Sequence, residues 1–184
     1  MGVVSLAKSL IGKVKYVFGS DNIEGGTGDC SSFTEYVFKK NGVEIGADTE
    51  SQYLSGGTKI NNMSDLQSGD LVFFAYTYAS GHVDGVSHVG IYSGNNKFIH
   101  CSSGAGNVVE SDISSDYYNS HFLSGLRKSG VISEGTTAPS TSVSADTKEV
   151  DLSLAGNIAK YVIIILLILL IVGSLVLTVT SSLD

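Results

Sequence analysis

The chain has 184 residues, 42% hydrophobic and 16% charged, with a formal charge of −7. This length gives one domain with a real core plus a tail, not two full domains. No segment is strongly basic, since residues 1–128 hold 9 basic and 13 acidic side chains, which excludes nucleic-acid backbone binding as its main business. Twenty-two Gly, one Pro and two Cys exclude a collagen-like or Pro-rich chain and a disulfide framework, and favour a loop-rich α/β or β domain.

From the N-terminus, Val3, Val4, Ala7, Leu10, Ile11, Val14, Val17 and Phe18 recur at helical spacing. That pattern predicts an amphipathic helix packed on a domain. Lys8, Lys13 and Lys15 interrupt the apolar residues, so the segment does not read as a signal peptide. A Gly-rich loop (Gly25, Gly26, Gly28) and Asp29 lead into a predicted helix over Cys30–Lys40, with Phe33, Val37 and Phe38 on one face and Asn41-Gly42 as its stop. After the turn Ser68-Gly69-Asp70, the apolar run Leu71–Tyr78 predicts a strand. Ser87–Tyr92 and Lys97–Cys101 predict two more, joined as a hairpin across a Gly/Asn turn, and a last strand falls near Phe122–Arg127.

Residues 1–128 are therefore expected to form the domain. Residues 129–160 read as a flexible tether, because a Ser/Thr-rich stretch with so few large apolar side chains cannot offset its ordering entropy. Tyr161–Val179 then runs for 19 residues without a charge. As a helix it measures about 28 Å, against a hydrocarbon core of about 30 Å. The expectation is a single membrane span at 161–179 with a short tail at 180–184. Lys148 and Lys160 give a weak positive-inside signal for a cytoplasmic N-terminal part.

The chemistry-bearing residues start with Cys30. At a helix N-terminus the amides and dipole favour a thiolate, which would lower its pKa, and the same amides can hold an oxyanion. His88 and His100 lie 12 residues apart across the predicted hairpin. Sharing a face, they would come within hydrogen-bond reach, His88 as base to Cys30 and His100 as the group that orients it. An inert core cysteine with structural histidines remains open, as does a metal site from the same three residues, although no CxxC or HxxxH spacing supports one. Cys101 follows His100 directly in a strand, so it is expected on the opposite face as buried filler rather than as a resolving thiol.

The segments Tyr16-Val17-Phe18-Gly19, Asp29-Cys30-Ser31-Ser32-Phe33, Ser51-Gln52, Ser68-Gly69-Asp70-Leu71-Val72-Phe73-Phe74, Ser87-His88-Val89-Gly90-Ile91-Tyr92 and Phe98-Ile99-His100 occur in an order and spacing that resemble the NlpC/P60 family of papain-like cysteine peptidases. The resemblance covers residues 16–127. It implies an α+β papain-like fold, with N-terminal helices packed on an antiparallel sheet. It also implies Cys30 as nucleophile, His88 as base and His100 as the orienting third member. Tyr16 matches the family tyrosine that helps the oxyanion or the substrate, and Asp29 and Ser31 match residues that contact the peptide. Neither a cofactor nor a metal is implied. Ala75–Val86 forms a longer loop than is usual before the histidine and is expected to reshape the groove. His82 and His121 match nothing in the motif and are expected to be ordinary surface or loop residues.

The function these features imply is a membrane-anchored hydrolase of peptidoglycan stem peptides, cutting bonds such as D-glutamyl–diamino acid, with a pH–rate curve of thiolate–imidazolium origin. Its partners would be stem peptides, a lipid membrane through residues 161–179, and proteins of a virion or envelope complex; no nucleic acid is expected. A wall substrate with no visible secretion signal favours a bacteriophage particle, with a bacterial envelope as the other location. Two alternatives stand beside it. One is a lipid-modifying thiol acyltransferase or phospholipase, of the group resembling lecithin:retinol acyltransferase, in which the histidines precede the cysteine; here Cys30 comes first. The other is a catalytically silent wall-binding module.

Overall fold

The structure is a computed structural model and describes residues 2–79 and 81–131. The expected tether beyond Val131, the span at 161–179 and the tail at 180–184 lie outside the described residues. Among the described residues no helix is long and apolar enough to cross a membrane.

The N-terminal helix α1 covers only Val3–Ser9 and buries Val3, Val4 and Ala7. It is shorter than the apolar spacing predicts because Gly12, at φ +72°, turns the chain; Lys15–Tyr16 then become strand β1. Strand β2 (Thr27–Gly28) runs parallel to β1. Helix α2 (Cys30–Lys39) and helix α3 (Thr49–Leu54) follow, then the short strand β3 (Thr58–Ile60) and β4 (Leu71–Ala75). Tyr76 at φ 56° ends β4 three residues before the expected Tyr78. Strands β5 (Val86–Gly94) and β6 (Lys97–Ser102) form the expected hairpin. Its turn residues Asn95 and Asn96 both have positive φ, the geometry that tight hairpins need and that Asn tolerates. Strand β7 (Asn107–Asp112), helix α4 (Asp116–His121) and strand β8 (Phe122–Arg127) complete the domain.

The eight strands make one sheet in the order β2-β1-β7-β6-β5-β4-β8-β3. The expected antiparallel sheet is thus a mixed one, corrected by the parallel β1–β2 pair, which aligns Lys15 with Thr27 and Tyr16 with Gly28. Alternation along the strands sorts the core to two faces. Phe73, Val89, Ile91, Ile99 and Cys101 pack with Phe33, Val37 and Phe38 of α2, whereas Val72, Phe74, Tyr92 and Phe98 pack with Tyr118 and Phe122. One ion pair clamps the turn before β4 to the last strand: Arg127 donates from Nε to Asp70 Oδ1 (2.9 Å) and from an Nη to Asp70 Oδ2 (2.8 Å), with Asp70 fully buried.

Candidate active site

Cys30 is the first residue of α2. Asp29 caps this helix: its Oδ1 accepts from the Ser31 and Ser32 amides, and Ser32 Oγ in turn accepts from the Asp29 amide. Such a capping box is worth about 1 kcal/mol to the helix, and it fixes where the first turn begins. Asp29 Oδ2 accepts from the Gly19 amide (3.0 Å), tying the segment after β1 to the same cap. Gln52 of α3, fully buried, donates to the carbonyls of Ser31 and Gly46 and accepts from Thr34 Oγ1, so α3 is fastened to α2. That attachment places Thr49 Oγ1 3.7 Å from Cys30 Sγ.

The histidines come from the hairpin. His88 on β5 lies opposite Phe74 of β4, and His100 on β6 lies opposite Val109 of β7. Their rings meet with His88 Nε2 2.7 Å from His100 Nδ1. Gly90 makes this possible: a Cβ there would sit 2.7 Å from the Phe98 ring, 2.9 Å from the Ile99 carbonyl and 3.1 Å from His100 Cβ. Phe98 stacks on His100 with ring centroids 4.4 Å apart, Tyr118 meets it edge-on, and His100 Nε2 lies 2.9 Å from Ser111 Oγ. His100 is 1% exposed.

Tyr16, Asp29, Cys30, Ser31, His88 and His100 all line one open cleft of about 390 Å³. All six site residues expected from the sequence are therefore brought together. Ser31 Oγ and both oxygens of Asp29 also carry bonds of the cap. Tyr78, Thr49 and Tyr118 line the cleft as well, and so does His82, which was expected to be an ordinary surface or loop residue. Glu50 of α3 holds His82 there by bonding its Nδ1 (3.1 Å) and the Val83 amide (2.7 Å), and Tyr53 donates to Asp84 (2.7 Å). The long loop before His88 is thus pinned to α3 as one wall of the cleft. His121 does not line the cleft itself but stacks on Tyr117, which does. Cys101 is fully buried on the α2 side of β6, its thiol 3.5 Å from the Gly28 carbonyl, and both cysteines are free thiols.

The electrostatics differ from the expected lowered thiol pKa. Burial, then the charge of Asp29, pushes the Cys30 thiol up to about 11, outweighing the hydroxyl of Thr49 and the amides of Val89 and Ser31 that favour the thiolate. Burial pushes His88 down to about 4, with Asp29 opposing, and holds His100 well below its ordinary value, helped by His88. Burial pushes the Tyr16 phenol up to about 12, so it keeps its proton and can donate. At neutral pH burial thus favours the neutral forms of both the Cys30 thiol and the His88 imidazole on the walls of this cleft. Among the described residues no group of three His, Cys, Asp or Glu side chains is placed to hold a metal ion.

A cysteine at a helix N-terminus, sharing a cleft with a hydrogen-bonded histidine pair from the sheet, is the layout of a thiol-dependent hydrolase. The NlpC/P60 family profile matches residues 12–127. The chain is 32% identical over 129 residues to the peptidoglycan DL-endopeptidase CwlO of Bacillus licheniformis, covering 68% of this chain and 27% of that protein. It is 36% identical over 127 residues to the gamma-DL-glutamyl hydrolase of Bacillus subtilis, covering 68% and 28%. A crystal structure of an NLP/P60 family lipoprotein-like protein from Staphylococcus aureus superimposes with a TM-score of 0.58 at 30% identity, covering 68% of this chain and 39% of that one. The chain belongs to the NlpC/P60 family. It spans less than a third of the length of these curated relatives.

Proposed function

We propose that residues 12–127 are a cysteine endopeptidase that hydrolyses DL peptide bonds in peptidoglycan stem peptides, such as that between D-glutamyl and a diamino acid. The observation that carries this reading is the His88–His100 contact of 2.7 Å on the wall of the cleft that holds Cys30. The bond type is supported by the names of the relatives, a DL-endopeptidase and a gamma-DL-glutamyl hydrolase.

In this mechanism Cys30 Sγ attacks the carbonyl carbon as its proton passes to His88 Nδ1, the ring nitrogen that His100 leaves open. Because the thiol sits high and the imidazole low, proton transfer accompanies the attack rather than preceding it. The cap takes the amides of Ser31 and Ser32, which leaves the Cys30 amide, with the Tyr16 hydroxyl, to donate to the oxyanion. His88 then returns the proton to the leaving amine, and water hydrolyses the thioester with His88 as base. The half-exposed or exposed rings of Phe18, Tyr78 and Tyr117 at the cleft offer apolar faces to groups flanking the bond.

Residues 161–179, uncharged and about the length of a bilayer core, would hold the enzyme at a membrane, in a phage particle or in the bacterial envelope. Mass analysis of purified muropeptides after digestion tests the substrate. The reading expects products split at one DL bond; intact muropeptides beside released lipid acyl chains would favour the acyltransferase alternative and overturn it. Detection of the protein in purified particles or in envelope membranes, and its absence from soluble fractions, checks the location.

A further inference from the structure

We propose that Ser111, backed by Tyr118, is a positioning residue that selects the tautomer in which His88 can act as a base; this rests on the peptidase reading above. Four polar side chains follow one another from the cleft inward. His88 Nε2 lies 2.7 Å from His100 Nδ1, and His100 Nε2 lies 2.9 Å from Ser111 Oγ and 3.4 Å from the Tyr118 hydroxyl. Two neutral rings have one proton each to share among these contacts. If His88 is to receive the thiol proton at Nδ1, its own proton must sit on Nε2. That proton is donated to His100 Nδ1, which must then be bare. The His100 proton is forced onto Nε2, inside a pocket closed by Phe98 and Tyr118, where it needs an acceptor.

Ser111 supplies that acceptor. It stands on β7 opposite Phe98, two residues along from the partner of His100, so the β6–β7 register aims its short side chain at the far ring nitrogen. The Tyr118 hydroxyl stands on the same ring nitrogen at 3.4 Å, the longer of the two contacts, which leaves Ser111 Oγ at 2.9 Å as the nearer acceptor. Without the serine oxygen, the opposite arrangement becomes competitive: His100 carries its proton on Nδ1, donates to His88 Nε2, and leaves His88 protonated on Nδ1. In that form His88 cannot accept the thiol proton. The device uses neutral hydroxyls where serine proteases use a carboxylate. It therefore fixes direction without drawing the buried imidazole toward its charged form.

The test compares Ser111→Thr with Ser111→Val, which share a shape and differ by the hydroxyl alone, in the full chain labelled with 15N-histidine. Heteronuclear spectra assign the His88 and His100 tautomers, and muropeptide turnover gives kcat and KM. In the parent, both rings should carry their proton on Nε2. Ser111→Val should show an Nδ1–H population on both rings and lose about ten-fold in kcat with KM unchanged, the scale of one neutral hydrogen bond. Ser111→Thr should restore the tautomers and the larger part of kcat. A parent His88 with its proton on Nδ1, or a Ser111→Val protein with parental spectra and kcat, overturns the proposal. The spectra are read without substrate, so inactivity of the parent on muropeptides would count against the proposed function and leave the tautomer result to judge Ser111.

Discussion

Alkylation of Cys30 as a function of pH distinguishes a buried thiol from a preformed ion pair. Burial and Asp29 raise the thiol from its ordinary 9.0 to about 11. At pH 7 the thiolate share falls from about one in a hundred to about one in ten thousand. The more basic thiolate is the better nucleophile, by about ten-fold over two pKa units, so the net effect is alkylation slower by about ten-fold. Iodoacetamide labelling of the full chain, quantified on the Cys30 peptide by mass spectrometry, should therefore be slow at neutral pH and rise about ten-fold per unit between pH 8 and 10. A rate that is already high at pH 5 and flat to pH 8 would mean that the thiolate–imidazolium pair exists before substrate binds, and that burial does not control the thiol.

Four further outcomes follow from the same geometry. His88, lowered from 6.5 to about 4, must be neutral to act, so kcat/KM should fall as pH drops through about 4; because the unfolded chain takes up that proton first, chemical denaturation should also show stability intact above about 6.5 and declining toward 4. Asp29→Asn keeps an effective helix cap but removes the charge that raises the thiol, so Cys30 should alkylate faster at pH 8 than in the parent. Gly90→Ala puts a Cβ against Phe98, the Ile99 carbonyl and His100, and should cost about 2 kcal/mol in urea unfolding together with most of the turnover. Asp70→Ala strips the buried partner from Arg127, which is itself about one-third exposed, and should cost about 3 kcal/mol with kcat in the surviving folded fraction little changed.

The chemistry was more legible in the sequence than the fold that carries it. Cys30 announced itself by the Gly-rich loop, the capping Asp29 and the apolar face of α2. His88 and His100 announced themselves by a hairpin whose Gly/Asn turn marks the register. The first helix is shorter than its pattern because Val14, Val17 and Phe18 continue a helical period in sequence, while the left-handed Gly12 and the parallel pairing of Lys15 with Thr27 are decided by contacts distant in sequence. The same holds for the thiol: a helix N-terminus argues for a low pKa, but only the packed structure shows how little water reaches it. Thr49, Tyr78 and Ser111 carried no local signal, since their positions depend on how α3, the long loop and β7 dock. Nothing local marks His82 either, because its clasp by Glu50 spans 32 residues.

The most direct test of the account replaces one atom. Cys30→Ala should fold with parental circular dichroism and unfold at nearly the same denaturant concentration, yet release no fragment from purified muropeptides under conditions where the parent digests them to completion. Digestion by the alanine variant at a measurable fraction of the parental rate would show that the nucleophile lies elsewhere, and the role assigned to the cleft would have to be abandoned.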